Sequence, residues 1–185
     1  MAVTKPIRPK LSERDRVRRT TILALRCLTN IAFYRSGVGK LTDASQQEFY
    51  RVANSNNFDI AVLEWFKVFG ERNGEHHWRN IFSIDPFSEY LLSSLKISQG
   101  EFSNYINEVA TYRNTFIAHL DDSYIMNIPN LDTMHQCMIF LLNQMHNKNT
   151  YKMHLSPNLI SCPEKNYDRL LELGEQIYNN ILYAN

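Results

Sequence analysis

The chain has 185 residues, 44% hydrophobic and 21% charged, which suits one folded domain and argues against general disorder. Gly and Pro number 6 each, too few for a turn-rich sandwich or barrel. Twenty basic against 19 acidic residues leave a net +1, which excludes a protein that coats nucleic acid through bulk charge.

The charge is unevenly placed. Residues 1–20 carry seven basic side chains against Glu13 and Asp15, a local +5, and the rest of the chain carries −4. The chain therefore reads as a basic N-terminal arm, 1–11, and a single helical domain, 12–185. The basic segment is either a solvated leader into the first helix or a polyanion-facing element. In the second case Arg14 and Arg18 are candidate substrate-binding residues. No run reaches the ~18 apolar residues of a membrane span, and no signal-peptide stretch follows the first basic residues. Cys27, Cys137 and Cys162 form no CxxC pair, which fits a reducing cytoplasm.

Long stretches without Gly or Pro favour helices over strands. Ser12 is a natural N-cap for a first helix with Glu13 and Asp15 in its first turn. Its apolar stripe is Ile22, Leu25, Leu28 and Ala32, ending near Gly37. A second helical region covers about 43–54 with Phe49 and Val52 inward, and Asn54-Ser55-Asn56-Asn57 reads as a break. A third helix presents Ile60, Leu63, Phe66 or Trp65, and Phe69, and stops at Gly70. Residues 71–86 form a loop in which Gly74-Glu-His-His-Trp78 lacks further metal ligands at ordinary spacing. It is either a structural loop with Trp78 packed inward or a loop whose His77 contacts substrate. A short helix follows near 86–96.

Pro129 and Asn130 open a helix with Leu131, Met134, Met138, Leu141 and Met145 on one face, the pattern of a core filler rather than a cofactor box. A polar loop over 147–163 leads to a last helix, about 164–183, with Leu170, Leu173, Ile177 and Ile181 inward. The expectation is an all-α bundle of six or seven helices around one core.

Residues 98–119 carry the chemistry. The apolar stripe is Phe102, Ile106, Val109, Phe116 and Leu120, and Arg113 falls inside it. A buried arginine is costly unless it is paired or faces a cleft or an interface. It either packs its stem with its head in solvent, pairs with a carboxylate such as Glu108, or serves a site. A second line runs Tyr105, Glu108, Tyr112, Thr115 and His119. One helix thus offers an imidazole for proton transfer near neutral pH and a guanidinium for phosphate oxygens. On an ideal helix Arg113 and His119 stand about 120° apart and ~9 Å along the axis. They converge only through a helix break near Ala118 or across a two-fold interface.

Arg113-Asn114-Thr-Phe-Ile-Ala-His119 resembles the R-N-x(3–5)-H signature of the HEPN superfamily. Together with Phe58-Asp-Ile-Ala-Val-Leu-Glu-Trp-Phe-Lys-Val-Phe-Gly70 and His77-Trp-Arg79, it is similar to the AbiU-type branch associated with abortive infection. The resemblance covers about 58–121. It implies a HEPN-like helical bundle that forms a homodimer and pools two motifs in a cleft. It also implies a metal-independent, cofactor-free endoribonuclease of a bacterial phage-defence or toxin–antitoxin system. His119 would then be the acid/base group, Arg113 would bind the scissile phosphate, and Asn114 would orient that arginine or bond the phosphate. Tyr112 and Glu108 are the adjoining substrate-binding candidates. RNA is the implied substrate, and an antitoxin or a nucleotidyltransferase the implied protein partner. Members modified by a nucleotidyltransferase carry a Tyr two residues after the His, where this chain has Asp121 and its next Tyr is Tyr124. Other HEPN proteins are inactive modules that bind nucleic acid or a partner protein, and that is the alternative reading.

Overall fold

The computed structural model describes residues 11–41, 47–117, 127–148, 151 and 162–183. Within them lie six α-helices and no strand: α1 (Glu13–Gly37), α2 (Glu48–Trp65), α3 (Ile84–Leu95), α4 (Gln99–Tyr112), α5 (Leu131–Asn147) and α6 (Pro163–Tyr183). The all-α expectation holds. No helix among the described residues is long and apolar enough to cross a membrane.

The first helix is central and packs against α2, α5 and α6. Ser12 caps it by accepting from the Asp15 N–H at 3.1 Å. The inward face is Val17, Thr20, Thr21, Ala24, Cys27, Leu28, Ile31 and Ala32, whereas Ile22, expected inside, is half exposed. Two of its buried polar groups find partners: Thr21 Oγ1 donates to Met145 Sδ at 3.2 Å, and Cys27 Sγ to the Ala61 carbonyl at 3.4 Å.

The break expected at Asn54–Asn57 is absent, and α2 runs through it. The buried Asn54 holds the helix together here. In the orientation that satisfies its neighbours, its amide nitrogen donates to the carbonyls of Phe33 and Tyr34 at 3.1 Å and to the Tyr178 hydroxyl at 3.0 Å. Tertiary bonds thus override a weak local propensity. The core side of α2 is Phe58, Ala61, Val62 and Trp65, on the opposite face from Phe49 and Val52, which are 74% and 53% exposed.

The last helix is also rotated relative to its expected stripe. Tyr167, Leu170 and Tyr178 are buried, whereas Leu173 and Ile177 are partly exposed. Gly174 explains this, since a Cβ there would lie 2.4 Å from Ser36 Oγ. The close approach of α6 to α1 requires the glycine and fixes which face turns inward. By contrast, α5 matches its pattern: Met134, Met138, Leu141 and Met145 are fully buried.

Candidate functional site

The helix carrying the candidate motif begins with a capping box. Glu101 N–H donates to Ser98 Oγ at 3.2 Å, and Ser98 N–H donates to the Glu101 carboxylate at 2.7 Å. Its buried face is Phe102, Tyr105, Val109 and Tyr112. Two hydroxyls lock that face in place. Tyr105 donates to the Asn130 carbonyl at 2.6 Å, and Tyr112 donates to Asp59 Oδ1 at 2.8 Å. Burial raises both phenols above their ordinary range, and for Tyr112 the bond to Asp59 adds to the effect.

Immediately after Tyr112 the helix widens into a π-turn, Arg113–Ile117, none of whose side chains is buried. The same irregularity ends α2, where Phe66–Gly70 form a second π-turn. The two meet at one contact: the Arg113 guanidinium carbon lies 5.0 Å from the Phe66 ring centroid. Its NH1 donates to Asn114 Oδ1 at 3.0 Å. This corrects the expected placement of Arg113 within a buried stripe. The buried seam passes through Tyr112 instead, and Arg113 lies half-buried beside it. A cation over an aromatic face keeps its in-plane N–H groups available. Widened turns of this kind interrupt regular winding and recur at functional sites.

The other candidates are dispersed. His119 lies outside the described residues, as do Ala118, Leu120, Asp121 and Tyr124. Glu108 is exposed on α4 and makes no ion pair with Arg113. Tyr112 contributes to a cleft of about 370 Å³ together with Tyr34, Arg51, Asn54 and Phe58. Arg14 and Arg18 are exposed on α1, on the flank turned away from the loop after α2, at about 100° of rotation per residue.

His77, expected either in a structural loop or against substrate, is enclosed by the fold. It is 1% exposed, with Nε2 3.2 Å from the Phe69 carbonyl and Nδ1 accepting from the Arg79 N–H at 3.2 Å. Those partners assign the neutral tautomer with its proton on Nε2. Burial, aided by Arg79 and Arg72 and opposed by the Phe69 bond, lowers its pKa to about 4. With both nitrogens engaged, the His76–His77 pair has one imidazole left for any ligand. Trp78 is packed inward, stacked 4.5 Å from Phe87.

Phe66 and Asp59 are the residues that sequence reasoning did not assign to the site. The local signal for each was present, because both lie in the segment Phe58–Gly70 that carries the resemblance. Their roles depend on a contact between α2 and α4 that spacing alone does not reveal. No family profile, curated protein or solved structure matches the chain.

Proposed function

We propose that this protein is a metal-independent HEPN-type endoribonuclease of a bacterial phage-defence or toxin–antitoxin system, acting in the cytoplasm as a homodimer. The observation that carries the reading is the presentation of Arg113. Its guanidinium rests on Phe66 and is steadied by Asn114, on a widened turn whose side chains are not buried. A guanidinium so held can bind the scissile phosphate and stabilise its developing charge. Asn114 orients it. In this reading His119 takes the proton from the ribose 2′-hydroxyl, whose oxygen attacks phosphorus. The bond from phosphorus to the 5′-oxygen breaks, that oxygen takes a proton from water, and the products end in a 2′,3′-cyclic phosphate and a 5′-hydroxyl.

The test is cleavage of single-stranded RNA in EDTA, with analysis of the product ends. Wild-type protein should cut and leave cyclic phosphates, and His119→Ala should cut about 100-fold or more slowly while remaining folded and dimeric. Equal cleavage by both proteins would remove the proposed chemistry. Tight RNA binding without turnover would point to the inactive binding module instead.

A further inference from the structure

The basic residues of α1 divide between two flanks. At 3.6 residues per turn, Arg16, Arg19 and Arg26 fall within about 80° of one another, and Arg14 and Arg18 lie roughly 80–160° away. The first set faces other cations. Arg26 lies 3.3 Å from Glu64, whose second oxygen lies 3.4 Å from Lys67 Nζ in the first π-turn. Arg19 and Lys67 both act electrostatically on His76, and Thr20 Oγ1 ties that loop to α1 by donating to the His76 carbonyl at 3.3 Å. Arg16 and Arg72 line a cleft of about 300 Å³ together with Glu75 and Asn80, and its wall includes Leu11.

We propose that this flank, Arg16, Arg19 and Arg26 with Lys67 and Arg72, is the track for the sugar-phosphate backbone of single-stranded RNA leading to Arg113. The proposal rests on the ribonuclease reading and names the surface that serves it. Three observations favour it. The row has direction: from Arg16 to Arg26 it covers ~15 Å of helix, and Lys67 adjoins Phe66, which carries Arg113. Leu11 stands at its far end, where the chain continues into residues 1–10 with Lys5, Arg8 and Lys10. Its chemistry suits a polyanion better than a protein. Among the described residues most large exposed apolar side chains, including Phe49, Val52, Leu173 and Ile177, lie on other helices, Val38 lies at the far end of α1, and Ile22 lies between its two flanks. A protein interface needs an apolar centre, whereas phosphate binding does not.

Four acidic groups border this flank against its five cations: Asp15, one turn before Arg19 on α1, with Glu64, Glu71 and Glu75. Glu64 is buried and shared by Arg26 and Lys67. Glu71 borders the loop near His76 and Glu75 lines the cleft with Arg16 and Arg72, so both reduce the field at that edge.

The experiment is fluorescence anisotropy of a labelled single-stranded RNA over a range of salt concentrations, in the His119→Ala background so that turnover does not interfere. Neutralising Arg16, Arg19 and Arg72 together, each to Gln, should weaken binding at least tenfold. The slope of log affinity against log salt should fall by about 0.7 for each phosphate no longer neutralised. Arg14→Gln with Arg18→Gln should leave affinity within twofold. Equal weakening in the two sets, or weakening only in the second, would overturn the track. So would displacement of the RNA by polyglutamate as effectively as by polyuridylate, which would indicate an acidic protein partner. If the parent binds no RNA at any salt, the ribonuclease reading falls as well; if it binds and the triple variant is unchanged, only the track falls.

Discussion

The two π-turns put one backbone irregularity to opposite uses. Phe66–Gly70 buries Val68 and Phe69, and Phe69 stacks on Trp65 at 5.4 Å between centroids. Arg113–Ile117 has no fully buried side chain: its apolar end, Phe116 and Ile117, is half-buried against the core, and its polar head residues lie nearer the surface. Full burial holds the first turn in place, whereas the second is held by the half-buried Phe116 against Tyr112 and by Arg113 on Phe66. A widened turn is therefore not functional in itself; what distinguishes the two is which side chains the widening leaves exposed.

Substitutions can test that asymmetry. The largest effect is expected at Phe69→Ala, which empties a fully enclosed site and should cost about 3–5 kcal/mol in denaturant unfolding. A loss under ~1 kcal/mol would mean that the first turn is not a packing element. Gly70→Ala comes next, because its Cβ would meet the Phe66 ring at 2.3 Å. About 1–3 kcal/mol is expected, and cleavage should fall with it, since the displaced ring supports Arg113. Stability lost with cleavage retained would show that Phe66 does not position the arginine.

The pH dependence sharpens the same contrast through His77, which accepts from Arg79 N–H and bonds the Phe69 carbonyl of the first turn. Its folded pKa, about 4, lies below the ordinary 6.5, so between those values the unfolded chain binds the extra proton. Its contribution is thus fully present above pH 6.5 and is lost as the pH falls toward 4. His76 and His135, also lowered by burial, act with the same sign. The melting temperature should drop over this window, and His77→Gln, which keeps a donor and an acceptor, should flatten the drop. An identical slope in the variant would contradict the buried neutral imidazole.

Tyr112→Phe removes the bond to Asp59 and should cost about 1 kcal/mol, measured by urea unfolding. No change would mean that the bond does not anchor the end of α4. The smallest stability change is expected at Arg113→Ala, within about 1 kcal/mol, because its partners among the described residues are one ring face and one neighbouring amide.

The sequence was most legible where pattern and burial share a cause. The Met stripe of α5, the Ser12 cap and the stop at Gly70 follow from local chemistry and appear as expected. Legibility failed where a side chain's surroundings come from distant residues. Asn54 looked like a breaker because its partners, Phe33, Tyr34 and Tyr178, are remote in sequence. Leu173 and Ile177 looked inward because the close fit of Gly174 on Ser36 carries no hydrophobic signal. At the site, spacing placed Arg113 inside the buried stripe, which is not where the structure puts it. Its neighbour Tyr112 takes the buried seam, and the widened turn sets Arg113 beside it.

The central claim is that Arg113 acts on RNA and contributes little to the fold. Its most direct test is a matched pair of readings on Arg113→Ala: the unfolding midpoint, and the rate of RNA cleavage in EDTA relative to wild type. A nearly unchanged midpoint is expected, with cleavage reduced about 100-fold or more. A large loss of stability, or native stability with undiminished cleavage, would contradict it.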